Sequence, residues 1–260
     1  FNQEHLKKEK KLRGETAFKQ HTTYSNIDFL IKMKPRNKWT HVRRKPEDIR
    51  NPKITSDIYL QFSSISEDIQ RYAPLAKGKL LDVGAGMSPY RPFFQRYVDQ
   101  YIRLDAFDYD GEKPDIISDG ETIPLKENSI DTILCTQVLE HVPYPQKVID
   151  EIRRVLKPGG ICILTTHMAN PLHGLPHDYY RFTRICFQKV LFKNFAKVHV
   201  KENGGSLLSI FQFINWGLTA TFPKVIVMPL IISINLIIKP LDKLMFNPTF
   251  TTNYIVIAEK

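Results

Sequence analysis

Residues 81–86, Leu-Asp-Val-Gly-Ala-Gly, place an acidic side chain and two glycines directly after an apolar run. Gly84 and Gly86 let the backbone turn sharply and pass close to a bound molecule. In open α/β sheets a turn of this kind joins a strand to a helix at the carboxyl edge of the sheet, where ligands bind. The pattern therefore predicts a cofactor-binding turn, although a lone GxG does not identify the cofactor.

Two acidic positions follow this turn. Asp105 ends the next predicted strand about 20 residues later, where an acidic residue can accept hydrogen bonds from a ribose diol. Asp119 and Gly120 follow the third predicted strand in a polar loop that could meet an adenine. Each carboxylate alone is equally well explained as a solvated loop residue. Their order and spacing together favour an adenosine site.

The residues after Gly86 argue against a dinucleotide cofactor. A dinucleotide site needs GxGxxG, in which a third glycine allows close helix packing and the helix N-terminus holds a pyrophosphate. Here Met87, Ser88 and Pro89 follow, without a third glycine. Ser88 and Pro89 are typical of an N-cap and a first helical residue. A cofactor that lacks a pyrophosphate fits this sequence better.

The elements that must position these residues alternate between β-rich and helical runs over residues 79–201. This alternation predicts a parallel sheet flanked by helices. The predicted strands are residues 79–83, 101–105, 115–118, 131–135, 161–165, 196–200 and 253–258, and the predicted helices are 55–72, 89–97, 144–156 and 183–192. We expect an α/β, three-layer sandwich with a mostly parallel Rossmann-like sheet and an antiparallel last strand.

Residues 80–163 resemble the class I methyltransferases related to the ubiquinone and menaquinone methylases. The resemblance covers about a third of the chain and is specific for fold and cofactor, not for substrate. The matching pieces are Leu-Asp-Val-Gly-Ala-Gly at 81–86, Asp105, Ser-Asp-Gly-Glu-Thr-Ile-Pro-Leu at 118–125, Ser-Ile-Asp-Thr-Ile-Leu at 129–134, Leu-Glu-His-Val at 139–142 and Glu-Ile-Arg-Arg-Val-Leu-Lys-Pro-Gly-Gly at 151–160.

The resemblance implies that the cofactor is S-adenosyl-L-methionine and that the chain is a methyltransferase. The positions that it assigns to the cofactor are Asp82, Gly84, Ala85 and Gly86 at the methionine end, Asp105 at the ribose, Asp119 and Gly120 near the adenine, and Gln137 after the fourth strand. Ser88 stands where many members have another glycine, which leaves the path of the turn open.

Methyl transfer from a sulfonium requires positioning, desolvation and, for a hydroxyl acceptor, a base. The candidate bases are His141, His167, His173 and His177. Among these we single out His177 with its neighbour Asp178, in a polar aromatic loop where substrate loops lie in such folds, and His141. In the resembled family the Glu-His pair that contains His141 often supports structure instead. The stretch Pro-His-Asp-Tyr-Tyr-Arg-Phe-Thr at 176–183 is similar to one in bacterial relatives found with surface-glycan enzymes.

The formal net charge is +10, and the excess is concentrated before residue 54, at 7–11, 32–38 and 43–45. This indicates attraction to an anionic partner or simply a solvated basic face. Nucleic acid is disfavoured, because the basic residues do not alternate with stacking aromatics and no Asn-Pro-Pro-aromatic element follows the fourth strand. Three cysteines, Cys135, Cys162 and Cys186, without a CxxC pair predict buried thiols in a cytoplasmic protein, with neither a disulfide nor a metal.

Residues 207–238 are almost wholly apolar, and each half is expected to be shorter than the ~20 residues that span a bilayer. They predict either a helical hairpin lying in the inner membrane face or helices that cap the sheet or form a homodimer interface. The predicted domains are a basic extension (1–53), a methyltransferase domain (54–206), an apolar helical insertion (207–250) and the final strand (251–260).

The leading functional hypothesis is O-methylation of a small or lipid- or glycan-linked acceptor by an enzyme held peripherally at the inner membrane face. The alternatives are a nucleic-acid-binding methyltransferase and a non-catalytic binding module with the same fold. The retained carboxylate at Asp105 argues against the module, because a scaffold needs no ribose ligand.

Overall fold

The computed structural model describes residues 44–108 and 113–260. All of them belong to one compact unit that extends from His41 to Lys260. The basic clusters predicted at 7–11 and 32–38 lie outside the described residues, as does Arg43, and so does most of the predicted extension 1–53. The domain boundaries proposed from the sequence stay predictions.

A seven-stranded sheet forms the middle layer, in the order β3-β2-β1-β4-β5-β7-β6. β7 is antiparallel to both of its neighbours, whereas the other pairings are parallel. The strands are β1 (Lys79–Val83), β2 (Gln100–Asp105), β3 (Ile116–Ile117), β4 (Ile130–Thr136), β5 (Leu156–His167), β6 (Lys197–Glu202) and β7 (Asn253–Glu259). The predicted fold class, including the antiparallel last strand, is confirmed.

Helices cover both faces of the sheet. They are α1 (Pro46–Arg50), α2 (Tyr59–Tyr72), α3 (Arg91–Phe94), α4 (Pro145–Val155), α5 (Arg184–Cys186, continued by a π turn at Phe187–Leu191), α6 (Ser206–Thr221) and α7 (Lys224–Leu244). Leu81 packs with the α4 and α5 side of the core, and Leu80 packs with the α2 and α3 side. Successive strand side chains point to opposite faces, so one apolar run supplies both halves of the core.

The element after the glycine turn differs from the prediction. The helix predicted at 89–97 begins at Arg91 and spans a single turn, and Ser88 has a φ of 48° instead of the extended conformation of an N-cap. Its N–H donates to the Ala85 carbonyl at 2.7 Å. The backbone therefore makes an extra turn before the helix, and this turn takes the place of the N-cap.

The apolar segment 207–238 forms most of an antiparallel hairpin of α6 and α7, which packs against α2. Asn215 and Asn235, which interrupt the apolar pattern, are buried and joined by a 2.9 Å side-chain hydrogen bond. Asn235 also donates to the carbonyls of Ile54 and Ser56. Because buried amides must find partners, these residues fix the hairpin on the domain.

The length predicted for the second half of that segment is wrong. α7 continues through Pro229 and Pro240 to a length of 21 residues. Among the described residues it is the one helix long and apolar enough to cross a bilayer, with a mean hydropathy of 1.9 and a third of its apolar window buried. Length and composition alone make this weak evidence, because core helices of soluble proteins share the same properties.

Candidate functional site

The turn after β1 is held in place by the neighbouring strand. The N–H groups of Gly84 and Ala85 both donate to the Leu104 carbonyl, at 2.8 and 3.0 Å. Gly84 and Gly86 have φ values of 68° and 51°, in the left-handed region that favours glycine. A Cβ at Gly84 would lie 2.3 Å from the Val138 side chain, whereas a Cβ at Gly86 would point into open space.

Asp105 closes this turn from the end of β2. Its Oδ2 accepts the Gly86 N–H at 2.8 Å, and its Oδ1 accepts the Phe107 N–H at 3.1 Å. The side chain is buried next to the turn, and its assignment to the ribose stays a prediction. The predicted partner for a ribose diol therefore lies directly beside the predicted glycine turn.

Asp82 lies beneath the turn and is almost completely buried. Its Oδ2 accepts the Tyr101 hydroxyl at 2.6 Å, whereas its Oδ1 has no hydrogen-bond partner among the described residues. Burial raises the pKa of Asp82 to about 7, against the lowering effect of the Tyr101 hydrogen bond. A cationic group near this carboxylate, such as the amino group of a methionine moiety, would favour its ionised form.

Gln137 lies just past β4 and has a φ of 57°, which is strained for a residue with a side chain. Its amide donates to the Thr165 hydroxyl and to Asn253 Oδ1, both at 2.9 Å, and these two bonds hold it there. Strained residues of this kind concentrate at ligand sites. Gln137 lines the same cavity as the glycine turn, and its assignment to the cofactor stays a prediction.

A cavity of about 530 Å³ joins the glycine turn to the loops after β4 and β5. Its apolar wall comes mainly from helices outside the methyltransferase motif. The residues that line it include Gly84, Ala85, Gly86, Gln137, His141, His167, His173, Gln61 and Trp216. Pockets of this size and make-up hold small organic ligands.

Three imidazoles form one wall of the cavity. The ring of His173 lies 4.8 Å from that of His141 and 4.9 Å from that of His167, in both cases edge to face. Nδ1 of His141 donates to the His177 carbonyl at 2.5 Å, which fixes the proton on that nitrogen. We call His141, His167 and His173 the histidine wall.

Glu140 lies behind the histidine wall and is completely buried. Its Oε2 accepts the Thr166 hydroxyl at 2.6 Å, and Oε1 lies 3.2 Å from Nε2 of His167. Burial raises the pKa of Glu140 to about 7 and lowers the pKa of His167 well below its usual range. Both groups therefore favour their neutral forms in this environment.

The predicted pair of His177 and Asp178 is arranged differently from the expectation. The Asp178 carboxylate accepts from both terminal nitrogens of Arg181, at 2.6 and 3.0 Å, and from the His173 N–H at 2.9 Å. Burial alone would raise the pKa of Asp178, but the Arg181 hydrogen bonds lower it to about 2. Nδ1 of His177 contacts the Tyr179 hydroxyl instead. Asp178 thus orients the loop and His173, whereas His177 contributes its carbonyl to His141.

Asp119 and Gly120 lie apart from this cavity. Asp119 is exposed and accepts the Glu121 N–H, whereas Gly120 is buried between Val83 and Val148 with a φ of 82°. They follow β3 at the edge of the sheet, on the side of Asp105. Their assignment to the adenine stays a prediction.

Sequence reasoning missed the residues that α2 and α6 supply. Gln61 Nε2 lies 3.3 Å from Nδ1 of His167, and the Gln61 N–H donates to Gln212 of α6. Trp216 lines the cavity from the same helix. The signal in the sequence was a glutamine between apolar neighbours, at Gln61 and Gln212. An amide on an apolar helix face becomes buried and then requires a partner.

The residues present fit the methionine end of S-adenosylmethionine. Gly86 faces open space on the cavity side, and Asp82 keeps one buried carboxylate oxygen without a partner among the described residues. Asp105 accepts the Gly86 N–H and lies next to both. The sheet order, with one reversed strand, and this site are similar to those of class I, S-adenosylmethionine-dependent methyltransferases.

Comparisons with known proteins agree with this class. Residues 81–164 match the family model described as a methyltransferase domain. A solved S-adenosylmethionine-dependent methyltransferase from Archaeoglobus fulgidus superposes with a TM-score of 0.53 at 16% identity, over 82% of this chain and 97% of that chain. This likeness shows the shared fold. The predicted fold and cofactor are confirmed at the level of the domain.

Two curated relatives match shorter stretches. The human thiol S-methyltransferase TMT1B is 42% identical over 57 residues, which cover 22% of this chain and 23% of that protein. An uncharacterized methyltransferase of Mycobacteroides abscessus is 44% identical over 121 residues, which cover 40% of this chain and 44% of that protein. The chain spans less than half the length of either relative.

Proposed function

We propose that this protein transfers the methyl group of S-adenosylmethionine to a hydroxyl group of a small or lipid- or glycan-linked acceptor. The observation that carries the proposal is the cavity that runs from Gly86 to the histidine wall. A cofactor bound at the glycine turn would place its methyl group at the turn end of this cavity. The acceptor would then occupy the remaining space, with its reacting oxygen at the imidazoles.

The cofactor would supply an activated methyl group, so this chain's residues need to align the acceptor and exclude water. In the transfer the acceptor oxygen forms a bond to the methyl carbon while the carbon–sulfur bond breaks, and its electron pair stays on sulfur. A hydroxyl must also lose its proton, and the histidine wall is the polar surface that would meet it. The apolar surface near Trp216 suits an acceptor with an apolar body.

The exposed face of the α6–α7 hairpin supports the second part of the proposal, a peripheral position at the inner membrane face. Lys224 is the one charged residue over residues 206–238, and Val225 beside it is 82% exposed. The exposed apolar side chains of this face include Phe222, Val225, Ile226, Leu230, Leu236 and Ile237. An apolar face flanked by a cation suits the boundary of an anionic bilayer.

The acceptor class is tested by supplying methyl-labelled cofactor and the purified protein to host extract. Label is expected in a lipid, polysaccharide or small-molecule fraction, in an alkali-stable methyl ether. Label in nucleic acid, or on a thiol, would overturn the assignment. Asp105→Ala should abolish the labelling, and no labelling by the unaltered protein would favour the non-catalytic module.

The membrane position needs point variants, because deleting 207–238 would also remove Trp216 and Gln212 from the domain. Val225→Glu with Ile226→Glu should prevent flotation with vesicles of anionic phospholipid, since two charges would enter the apolar boundary. Ile185→Glu is the control, because Ile185 is also an exposed apolar residue but lies on α5, away from the hairpin. Equal flotation of the double variant and the control would remove the membrane part of the proposal.

A further inference from the structure

The strongest unassigned feature is the group formed by Glu140, His141 and His173 at the far end of the cavity. Each offers one ligand atom, and these atoms all lie within 4.8 Å of one another. His141 and His173 are half-buried on the cavity wall, and Glu140 is buried behind them. Two imidazoles and one carboxylate are a common donor set of catalytic zinc sites, which keep a further position open for substrate.

The outer hydrogen bonds have the pattern of a metal site. Nδ1 of His141 donates to the His177 carbonyl, and Nδ1 of His173 lies 3.1 Å from the Pro171 carbonyl. A carbonyl oxygen only accepts, so in His141 the proton is on Nδ1 and Nε2 carries the lone pair. Nδ1 of His173 also lies 3.2 Å from the Asn170 amide nitrogen, and the tautomer that would bind a metal through Nε2 is the one that donates to Pro171. Metal-binding histidines are typically oriented in this way, by a carbonyl or carboxylate on the opposite nitrogen.

The carboxylate completes the set. Thr166 donates to Oε2 of Glu140, whereas Oε1 makes no hydrogen bond within the described part of the chain, although Nε2 of His167 lies 3.2 Å away. A buried carboxylate oxygen that lacks a hydrogen bond is costly unless a cation is available to it. The positive charge of nearby Arg181 is compensated by its two-pronged contact with Asp178.

We propose that Glu140, His141 and His173 bind a divalent cation of the zinc type, which would hold and ionise the acceptor hydroxyl. Imidazole ligands select Zn²⁺ over Mg²⁺, which prefers oxygen donors. Zinc bonds of about 2.0–2.2 Å place tetrahedral ligand atoms about 3.3–3.6 Å apart, so the three side chains would draw together by about 1 Å through side-chain rotation. The prediction of no metal rested on the absence of a CxxC pair, which is a signal for cysteine-rich sites and not for histidine and carboxylate ligands.

The chemical role of the ion rests on the proposed methyl transfer, whereas its binding does not. An acceptor hydroxyl bound to the ion would release its proton to water, because the metal lowers its pKa. The resulting alkoxide would attack the methyl carbon, and the carbon–sulfur electron pair would remain on sulfur. The products would be a methyl ether and S-adenosylhomocysteine, with one proton released.

Equilibrium dialysis of the chelator-treated full chain against Zn²⁺ tests the site directly. We expect one Zn²⁺ per chain, and at least a tenfold loss of affinity in His173→Ala. His199→Ala is the control, because it removes an exposed histidine on β6 and should bind Zn²⁺ like the unaltered protein. Co²⁺ should give visible absorption bands typical of tetrahedral coordination in the unaltered protein and not in His173→Ala.

Calorimetry with S-adenosylhomocysteine on the same preparations separates the two proposals. Cofactor binding without zinc binding, or equal zinc affinity in the unaltered protein and His173→Ala, would overturn this inference alone. Loss of cofactor binding in the unaltered protein would instead overturn the proposed function. Because Glu140 is completely buried and bonded to Thr166, its substitution would also disturb the fold, so His141→Ala serves as the second ligand variant, with the same expected loss of zinc.

Discussion

The two glycines of the turn after β1 should respond differently to the same substitution. Both have positive φ, so an alanine at either position costs about 1–2 kcal/mol of stability in the left-handed region. At Gly84 the new methyl group would also lie 2.3 Å from Cγ2 of Val138, whereas at Gly86 it would meet nothing within 4 Å. Gly84→Ala should therefore lower the free energy of unfolding more than Gly86→Ala does.

Overpacking of this kind costs about 1–3 kcal/mol, so we expect a total loss of about 2–5 kcal/mol for Gly84→Ala and about 1–2 kcal/mol for Gly86→Ala. Val138→Ala in the Gly84→Ala background should recover the overpacking part. The coupling free energy in this double-mutant cycle should then be about 1–3 kcal/mol. The left-handed strain should remain in the double variant.

Urea unfolding measures the free energies, and calorimetry with S-adenosylhomocysteine measures the ligand affinity. Gly86→Ala should lose at least tenfold in affinity while it stays folded, because its methyl group would enter the space that we assign to the cofactor. The reasoning is refuted if Gly84→Ala is as stable as Gly86→Ala, if Val138→Ala recovers nothing, or if Gly86→Ala binds the ligand normally.

Three further outcomes follow from the site. Asp105→Asn should weaken S-adenosylhomocysteine binding at least tenfold by calorimetry, because one ribose-accepting oxygen is lost; unchanged affinity would contradict the ribose assignment. Burial raises the pKa of Asp82 to about 7, so without ligand the folded state binds more protons than the unfolded state between about pH 4 and 7. Over this range, the free energy of unfolding of the unaltered protein minus that of Asp82→Asn should fall by up to about 1.4 kcal/mol per pH unit as the pH rises. Urea titrations in which this difference does not change with pH would contradict the buried, protonated state of Asp82. Arg181→Ala should lower the free energy of unfolding by about 3–5 kcal/mol in the same assay, because the buried Asp178 carboxylate would keep the His173 N–H but lose its cationic partner; a loss below about 1 kcal/mol would contradict this role of the ion pair.

The strands of the sheet could be predicted because each one is formed by a short continuous run of β-favouring residues. The run at 79–83 became β1 with the predicted bounds, since its buried apolar residues serve both faces of the sheet. The path after Gly86 was not predictable in the same way. Ser88 is a favoured N-cap by residue type, yet the turn there is shaped by hydrogen bonds to Leu104 and Asp105 of another strand.

The three members of the histidine wall could be predicted only as separate candidate bases, together with His177. The loop after β5 folds back because Asp178 binds Arg181 and because the Glu140 carbonyl accepts from the N–H groups of Tyr179 and Tyr180. These contacts bring the ring of His173 against that of His141 and place the His177 carbonyl at Nδ1 of His141. The sequence shows the residue types. Whether the three histidines lie together depends on contacts between residues far apart in the sequence, which local periodicity does not indicate.

The place of β7 within the sheet has a consequence for how the protein is made. β6 pairs with β7, so within the described sheet it has no partner until residues 253–259 have been synthesised. Gln137 likewise gains one of its two side-chain hydrogen bonds from Asn253. The growing chain therefore presents an unpaired β5 edge while residues 168–252 emerge, and such edges are prone to wrong pairing. Because Asn253 of β7 helps to hold Gln137 at the site, we expect the cofactor to bind the completed sheet preferentially and so to favour its correct closure during biosynthesis.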